Sequence, residues 1–158
     1  MVDIKKISYG TIVLWVIFVL MSSFSLKYQL YFNKTDSLPE KIFYVSRYDK
    51  LPQKEGKIMF SSPKFAVNSD EYMVKIIKGV PGDKLTIHHD EFYINGECLG
   101  KVKKKSNMGR KLLAVKPGVI PSGKYFVWTP HVDSYDSRYF EIGLIDEKNI
   151  IGVAHSFV

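Results

Sequence analysis

The sequence contains few of the residues that build cross-linked, metal-bound or low-complexity proteins. Cys98 is the only cysteine in 158 residues, which excludes an intrachain disulfide and any zinc or iron–sulfur site built from cysteines. Seven prolines and eleven glycines are too few for a collagen-like or low-complexity chain. The 46% of hydrophobic and 14% of aromatic residues instead predict one folded domain with a packed core.

Common catalytic motifs are missing as well. The chain has no Gly-x-Ser-x-Gly nucleophile elbow, no His-Glu-x-x-His zinc motif and no glycine-rich phosphate loop. His88 and His89 are adjacent, and on a strand they would point to opposite faces, where they could not bind one metal ion together. We therefore predict a protein without a metal or an organic cofactor.

Negative charge is scarce, since 16 acidic residues oppose 23 lysines and arginines and the formal net charge is +7. This total is compatible with nucleic acid, an anionic membrane surface or solubility alone. The densest basic stretch, residues 101–111, favours a solvated loop, with attraction to anionic lipid headgroups as the functional alternative. No nucleic-acid-binding module surrounds it, so nucleic acid is not a predicted partner.

A long uncharged segment lies near the start of the chain. Residues 7–26 are apolar almost throughout, and Lys5, Lys6 and Lys27 flank them. About twenty helical residues at ~1.5 Å each cross a ~30 Å hydrocarbon layer, so the segment predicts one transmembrane helix. A cleavable signal peptide is the alternative, because residues 23–25 offer small side chains for a cleavage site. The positive charges are balanced between the two sides and leave the orientation open.

Residues 27–158 show the short β-branched and aromatic runs of strands, and no long amphipathic helix. They predict a mostly β domain behind the transmembrane helix. Asn95-Gly96 is the strongest hairpin signal, because a type I′ turn needs positive φ at both central residues. The predicted strands are residues 42–48, 56–60, 72–77, 84–88, 91–94, 97–99, 125–128 and 150–154.

Two residues could form a catalytic pair. Ser37 precedes the turn-forming Pro39, and Lys75 lies between the apolar Val74 and Ile76. Burial disfavours the charged ammonium and lowers the pKa of a lysine, so a neutral Lys75 could remove the proton of a serine hydroxyl. By residue type alone, however, both positions are more typical of structural roles.

Two rival residues stay open on these grounds. Lys78 directly follows the predicted strand 72–77, and if the strand continued it would lie on the face opposite Lys75. Periodicity cannot decide which lysine is the base. His131 could suggest a Ser–His arrangement, but its proline neighbour and polar flank favour an exposed loop residue.

Three sequence blocks, in this order, resemble those of the type I signal peptidase superfamily. Residues 33–39, Asn-Lys-Thr-Asp-Ser-Leu-Pro, are similar to its nucleophile box in the form used by the conjugative-transfer, pilin-processing (TraF-like) branch. Residues 75–83, Lys-Ile-Ile-Lys-Gly-Val-Pro-Gly-Asp, resemble its lysine box. Residues 134–140, Ser-Tyr-Asp-Ser-Arg-Tyr-Phe, resemble its Ser-x-Asp-Ser-Arg-Tyr box, and residues 150–154 end in a similar Gly-x-Ala strand.

The first two blocks imply the residues of the chemical step. By this resemblance Ser37 would be the nucleophile and Lys75 the general base, which selects Lys75 over Lys78. Thr35 stands where the family places a side-chain hydroxyl that helps to hold the oxyanion.

The third block implies supporting residues. Ser134 would hydrogen-bond and orient the lysine, and Asp136 and Arg138 would form a buried ion pair that shapes their loop.

Two departures from the family pattern bear on the branch. Lys41 stands where the pilin-processing branch usually has glycine, which bears on the turn after the nucleophile. Residues 129–131, Thr-Pro-His, stand where the housekeeping enzymes carry Gly-Asp-Asn, and this change favours the conjugative branch.

The resemblance implies a membrane-bound serine endopeptidase with a Ser–Lys dyad that removes signal or leader peptides, without metal or cofactor. Its partners would be precursor proteins and the lipid bilayer, and we expect a conjugative pilin precursor or another transfer-apparatus protein as substrate. Residues 1–6 would be cytoplasmic, residues 7–26 would cross a bacterial inner membrane, and residues 27–158 would form the extracytoplasmic peptidase domain. The alternatives are a general signal peptidase and a non-catalytic binding module of a secretion apparatus.

Overall fold

The computed structural model describes residues 8–49, 52–61, 72–106 and 109–157. These residues form one α-helix, a short 3₁₀ helix and eleven strands, which confirms the predicted mostly β fold. In chain order the elements are α1 (Tyr9–Lys27), β1 (Tyr28–Phe32), β2 (Ile42–Ser46), β3 (Lys57–Ser61), β4 (Tyr72–Gly79), β5 (Lys84–His88), β6 (Glu91–Ile94), β7 (Glu97–Lys101), β8 (Gly118–Val119), β9 (Lys124–Trp128), β10 (Ile145–Asp146), the 3₁₀ helix (Glu147–Asn149) and β11 (Ile150–Ser156).

Helix α1 contains the uncharged segment. It begins after Ser8, whose hydroxyl accepts a hydrogen bond from the Thr11 N–H, and it ends at Lys27. None of its side chains is buried by the described part of the chain. The helix is long and apolar enough to fit a single membrane span, and a signal sequence would meet the same test. Residues 1–7, with the predicted cytoplasmic segment, lie outside the described residues.

Seven strands form an antiparallel sheet in the order β1-β2-β11-β3-β4-β9-β10. Strand β4, an interior strand between β3 and β9, carries apolar side chains on both faces and packs into a different hydrophobic cluster on each side. Ile77 belongs to one cluster and Val74 to the other. Because both faces of β4 are buried, the alternation of its side chains does not distinguish the two lysines that it carries.

Strand β11 lies between β2 and β3 and approaches β2 very closely. A Cβ atom at Gly152 would lie 2.0 Å from the carbonyl oxygen of Ser46, so this position requires glycine. The register of β11 against β3 shifts between Ile150 and Gly152, where the strand bulges.

The other four strands form a second antiparallel sheet in the order β7-β6-β5-β8. Asn95 and Gly96 join β6 to β7 with φ of 49° and 90°, which confirms the predicted hairpin. Strand β5 ends at His88, because His89 has a φ of 51° and lies in the turn to β6. The predicted strand 84–88 ends where β5 ends, so His89 lies beyond the strand and the expectation of opposite strand faces does not apply to it.

Three strands were not predicted. Strand β1 follows α1 without a break, and its residues form a strand by pairing along their whole length with β2. Strands β8 and β10 have two residues each and arise by pairing with β5 and β9. Segments this short carry no sequence period, so only the tertiary pairing defines them.

Candidate active site

The Ser37 loop (residues 33–41) connects β1 to β2 and is closed by its own backbone. The Asn33 N–H donates to the Lys41 carbonyl at 2.7 Å, which continues the pairing of the two strands. Leu38 is buried in a hydrophobic cluster and fixes the loop to the sheet. Lys41 also donates to the Thr35 carbonyl at 3.2 Å and to the Asp36 carboxylate at 2.7 Å. The turn therefore closes with lysine where the pilin-processing branch usually has glycine.

Two hydroxyl groups meet at the surface of this loop. Thr35 Oγ1 lies 2.8 Å from Ser37 Oγ and 2.9 Å from Asn33 Oδ1. Ser37 is partly buried and Thr35 is exposed, so both hydroxyls can be reached from solvent.

Lys75 is almost fully buried on β4, with 3% of its surface exposed. Its ammonium donates to Ser134 Oγ at 3.0 Å. Burial lowers the pKa of Lys75 from 10.5 to about 8; the Asp136 carboxylate opposes this shift and the Arg138 guanidinium adds to it. Lys75 can therefore hold a proton or lose it close to neutral pH.

Lys78, three residues along the same strand, has a different environment. Its ammonium lies 2.9 Å from the carboxylates of both Glu55 and Glu97 and 5.4 Å from the centre of the Trp128 ring. Partial burial disfavours its charge, but the two carboxylates outweigh this effect and raise the pKa of Lys78. A lysine that stays protonated cannot serve as a base at neutral pH.

The Ser134 loop (residues 129–140) is organised around an ion pair. Nε and Nη2 of Arg138 each donate to one oxygen of the Asp136 carboxylate at 2.9 Å, and both side chains are buried. Asp136 also accepts from the backbone N–H groups of Thr129 and Arg138, and Arg138 reaches the Ser134 carbonyl at 3.5 Å. These bonds hold Ser134 where its hydroxyl meets Lys75.

A cleft of about 570 Å³ brings the two loops and the start of β4 together. Four of the six predicted site residues line it, namely Thr35, Ser37, Lys75 and Ser134. Asp136 and Arg138 do not line it and are buried behind Ser134. Ser37 and Lys75 both line the cleft. Among the described residues, Ser37 hydrogen-bonds to Thr35 and Lys75 hydrogen-bonds to Ser134, and the two do not hydrogen-bond to each other.

Other residues at the cleft were not assigned a role from the sequence. Asn33 is buried beneath Thr35. It belongs to the first sequence block, but the resemblance assigned no role to it. The sequence signal for this role is an asparagine at the start of a loop, because its side chain can hydrogen-bond to the backbone two residues further along. Tyr31 also lines the cleft, and its hydroxyl donates to the Tyr72 carbonyl at 2.8 Å, a contact without a sequence signal. His131 is exposed at the rim, and its Nδ1 accepts from the Asp133 N–H.

Part of the basic stretch packs against the Ser134 loop. Lys103 pairs with Asp133, Lys104 pairs with Asp90, and Arg110 donates to the Tyr135 hydroxyl at 2.9 Å. Residues 107–108 of this stretch lie outside the described residues. The part of the chain that is described contains no group of three or more His, Cys, Asp or Glu side chains that could hold a metal ion.

Comparison with known proteins identifies a family for this chain. Residues 4–158 match the family described as "Signal peptidase, peptidase S26". Signal peptidase IB of Staphylococcus aureus is 35% identical over 104 residues, 56% of this chain and 53% of that protein. Signal peptidase I V of Bacillus subtilis is 31% identical over 108 residues, 61% of this chain and 60% of that protein.

A crystal structure of a signal peptidase I from Enterococcus faecalis is 30% identical with a TM-score of 0.46, covering 66% of this chain and 97% of that chain. The matched region spans between about half and three fifths of the length of the two curated relatives. Since the family match extends over residues 4–158, the chain belongs to the signal peptidase family.

Proposed function

We propose that this protein is a membrane-bound serine endopeptidase in which Ser37 is the nucleophile and Lys75 the general base. The observation that carries the proposal is the environment of Lys75, a buried amine with a pKa of about 8 on the same cleft as Ser37. At pH 7 about a tenth of such amines are neutral, whereas an ordinary lysine is protonated almost completely.

Acylation follows from this pair. Neutral Lys75 accepts the hydrogen of Ser37 as Oγ bonds to the scissile carbonyl carbon, and the carbonyl π electrons move to oxygen. When the tetrahedral intermediate collapses, the C–N bond breaks and Lys75 returns the proton to the leaving amine. Water then attacks the ester, Lys75 takes its proton, and the acyl chain leaves as a carboxylic acid while Ser37 regains its hydrogen.

Thr35 and Ser134 support these steps. The Thr35 hydroxyl lies next to the Ser37 oxygen and can donate to the oxyanion together with the Ser37 backbone N–H, a contribution of roughly 2.7–4 kcal/mol per donor in known sites. Ser134 accepts from Lys75 and orients its amine, and the Asp136–Arg138 pair holds Ser134 in turn.

The substrate class that fits is the leader or signal region of exported precursors. The cleft is bordered by residues at the end of β1 and at the start of β4, so an extended peptide can bind there through backbone hydrogen bonds. The family resemblance implies small side chains at the first and third positions before the cut. No step of this mechanism requires a metal or a cofactor.

Within this class we propose a conjugative pilin precursor or another transfer-apparatus protein, on the basis of the Asn-x-Thr-x-Ser-x-Pro block at residues 33–39. The second candidate is a general signal peptidase, which the names of the Staphylococcus aureus and Bacillus subtilis relatives favour.

The proposed arrangement in the membrane follows from the chemistry. Exported precursors must be cut on the side to which they are exported, so residues 27–158 would lie outside the cytoplasm of a bacterial cell. Helix α1 would then be the single span of the inner membrane, with residues 1–6 on the cytoplasmic side.

The test is cleavage by the full chain in detergent, with a pilin precursor and a generic secreted preprotein as substrates. We expect cleavage by the wild type and by the control Lys78→Met, and none by Ser37→Ala or Lys75→Met. The precursor that is cut distinguishes the two candidates. Cleavage by Ser37→Ala would contradict Ser37 as the nucleophile. No cleavage of either precursor by folded wild type would contradict the peptidase and favour the binding module.

A further inference from the structure

Asn33 is a buried polar residue at the base of the Ser37 loop, with 8% of its surface exposed. Its amide makes four contacts, all within the loop. Oδ1 accepts from the Thr35 N–H at 3.1 Å and from Thr35 Oγ1 at 2.9 Å. Nδ2 donates to the carbonyl of Glu40 at 3.2 Å and, at the longer distance of 3.5 Å, to that of Leu38.

These partners determine which way the amide faces. Carbonyl oxygens only accept hydrogen bonds, so the atom that faces Leu38 and Glu40 must be the NH₂ group. The oxygen then faces Thr35, where the backbone N–H can only donate.

The direction of the hydroxyl hydrogens follows. Asn33 Oδ1 only accepts, so the single hydrogen of the Thr35 hydroxyl points to it. Thr35 Oγ1 therefore has no hydrogen left for Ser37, and in their contact at 2.8 Å the donor must be Ser37. Without substrate, the Ser37 hydrogen points to Thr35 and not to Lys75.

We propose that Asn33 is a positioning residue that acts through Thr35. Its amide oxygen fixes the rotamer that places Thr35 Oγ1 beside the nucleophile and holds the Thr35 hydrogen until an oxyanion forms. In the transition state Thr35 redirects this hydrogen from Asn33 to the oxyanion, and the Ser37 hydrogen passes to Lys75. This inference rests on the proposed function, since it assigns Asn33 to the same site.

The inference is tested by a double-mutant cycle on kcat with a saturating precursor peptide and the full chain in detergent. Loss of one oxyanion donor typically costs about 10²–10³ in kcat, so we expect a loss of that size for Thr35→Val. Asn33→Ala should lower kcat about 10- to 100-fold, with KM changed less than about twofold. In the Thr35→Val background, Asn33→Ala should cost no more than about a further twofold, because its target is already absent.

Two further variants control for a general effect on the loop. Glu40→Ala alters the same loop without contacting Thr35, so its effect on kcat should be equal in the wild-type and Thr35→Val backgrounds. Asn33→Asp has the same size and keeps an oxygen toward Thr35, but it loses the two donations from Nδ2 to the loop carbonyls, so its effect on kcat should be equal in both backgrounds. If Asn33→Ala does not fold, Asn33→Leu, which keeps the branched shape and removes the amide oxygen, provides the cycle.

Equal losses from Asn33→Ala with and without Thr35→Val would overturn the inference, because Asn33 would then act through the loop. An unchanged kcat in Asn33→Ala would overturn it as well. Both results require wild-type cleavage and leave the proposed function intact. Failure of folded wild type to cleave would overturn the proposed function itself, and the role of Asn33 with it.

Discussion

Replacement of Lys75 by methionine separates the stability of this protein from its proposed activity. Methionine has a similar unbranched shape and no charge, so it can fill the same buried space. A pKa of about 8 in place of the ordinary 10.5 means that burying the charged amine costs about 3.5 kcal/mol, at ~1.4 kcal/mol per pH unit. We expect Lys75→Met to raise the free energy of unfolding at pH 7, because it removes the buried charge. The gain should be about 2–3 kcal/mol, because loss of the hydrogen bond to Ser134 offsets part of it.

The difference in stability between the wild type and Lys75→Met should change with pH. The pKa of Lys75 is lower in the folded protein than in the unfolded chain, so between about pH 8 and 10.5 the unfolded state binds more protons. Wild-type stability should therefore gain about 1.4 kcal/mol per pH unit over this window relative to the variant. The advantage of Lys75→Met should be complete below pH 8 and small near pH 10.5.

The assay is thermal or urea unfolding of the full chain in detergent at pH 7 and pH 10, with precursor cleavage measured in parallel. Lys78→Met is the matched control, because Lys78 is paired with Glu55 and Glu97 and its pKa is raised. We expect the control to retain cleavage and to gain no stability. The reasoning would be refuted if Lys75→Met were less stable than wild type at pH 7, or if the difference between them did not change with pH.

We expect the rate of cleavage to depend on pH, and the stability of the fold to depend on a buried ion pair and on a close backbone contact. Because only neutral Lys75 accepts a proton, kcat/KM for a precursor peptide should rise about tenfold from pH 7 to pH 9, and a flat profile would contradict the assigned base. Arg138→Met leaves the buried Asp136 carboxylate unpaired and should cost roughly 3–5 kcal/mol in urea unfolding. Adding Asp136→Asn should recover part of this loss, and an equal loss in the double variant would contradict the charge argument. Gly152→Ala forces a Cβ against the Ser46 carbonyl and should cost at least ~1–3 kcal/mol, so an unchanged Tm would argue against the close approach.

Most of the secondary structure could be predicted because its signals are local. The uncharged run of residues 7–26 corresponds to helix α1 (Tyr9–Lys27), and the predicted strands 84–88 and 91–94 match β5 and β6 at both ends. Asn95-Gly96 specifies its hairpin by backbone conformation alone. Strands β1, β8 and β10 were missed, because their residues become strands only by pairing with partners elsewhere in the chain.

The candidate site was named from its three sequence blocks, but its electrostatics required the fold. Lys75 and Lys78 stand three residues apart on one strand with similar apolar neighbours, and periodicity does not tell them apart; only the resemblance of residues 75–83 to the lysine box of the family selects Lys75. In the structure one amine is buried against Ser134 and the other lies between Glu55 and Glu97, which moves their pKa values in opposite directions.

The sequence by itself determined the mostly β fold, the apolar helix and the residues that match the family, because propensity, turn chemistry and motif spacing act over a few neighbouring positions. The resemblance implied that Ser134, 59 residues away, orients Lys75, but only the tertiary structure decided how deeply that amine is buried and that Asn33 accepts the hydrogen bond of the Thr35 hydroxyl. A pKa and the direction of a hydrogen bond depend on burial and on the groups that surround an atom, and folding brings those groups from distant parts of the chain.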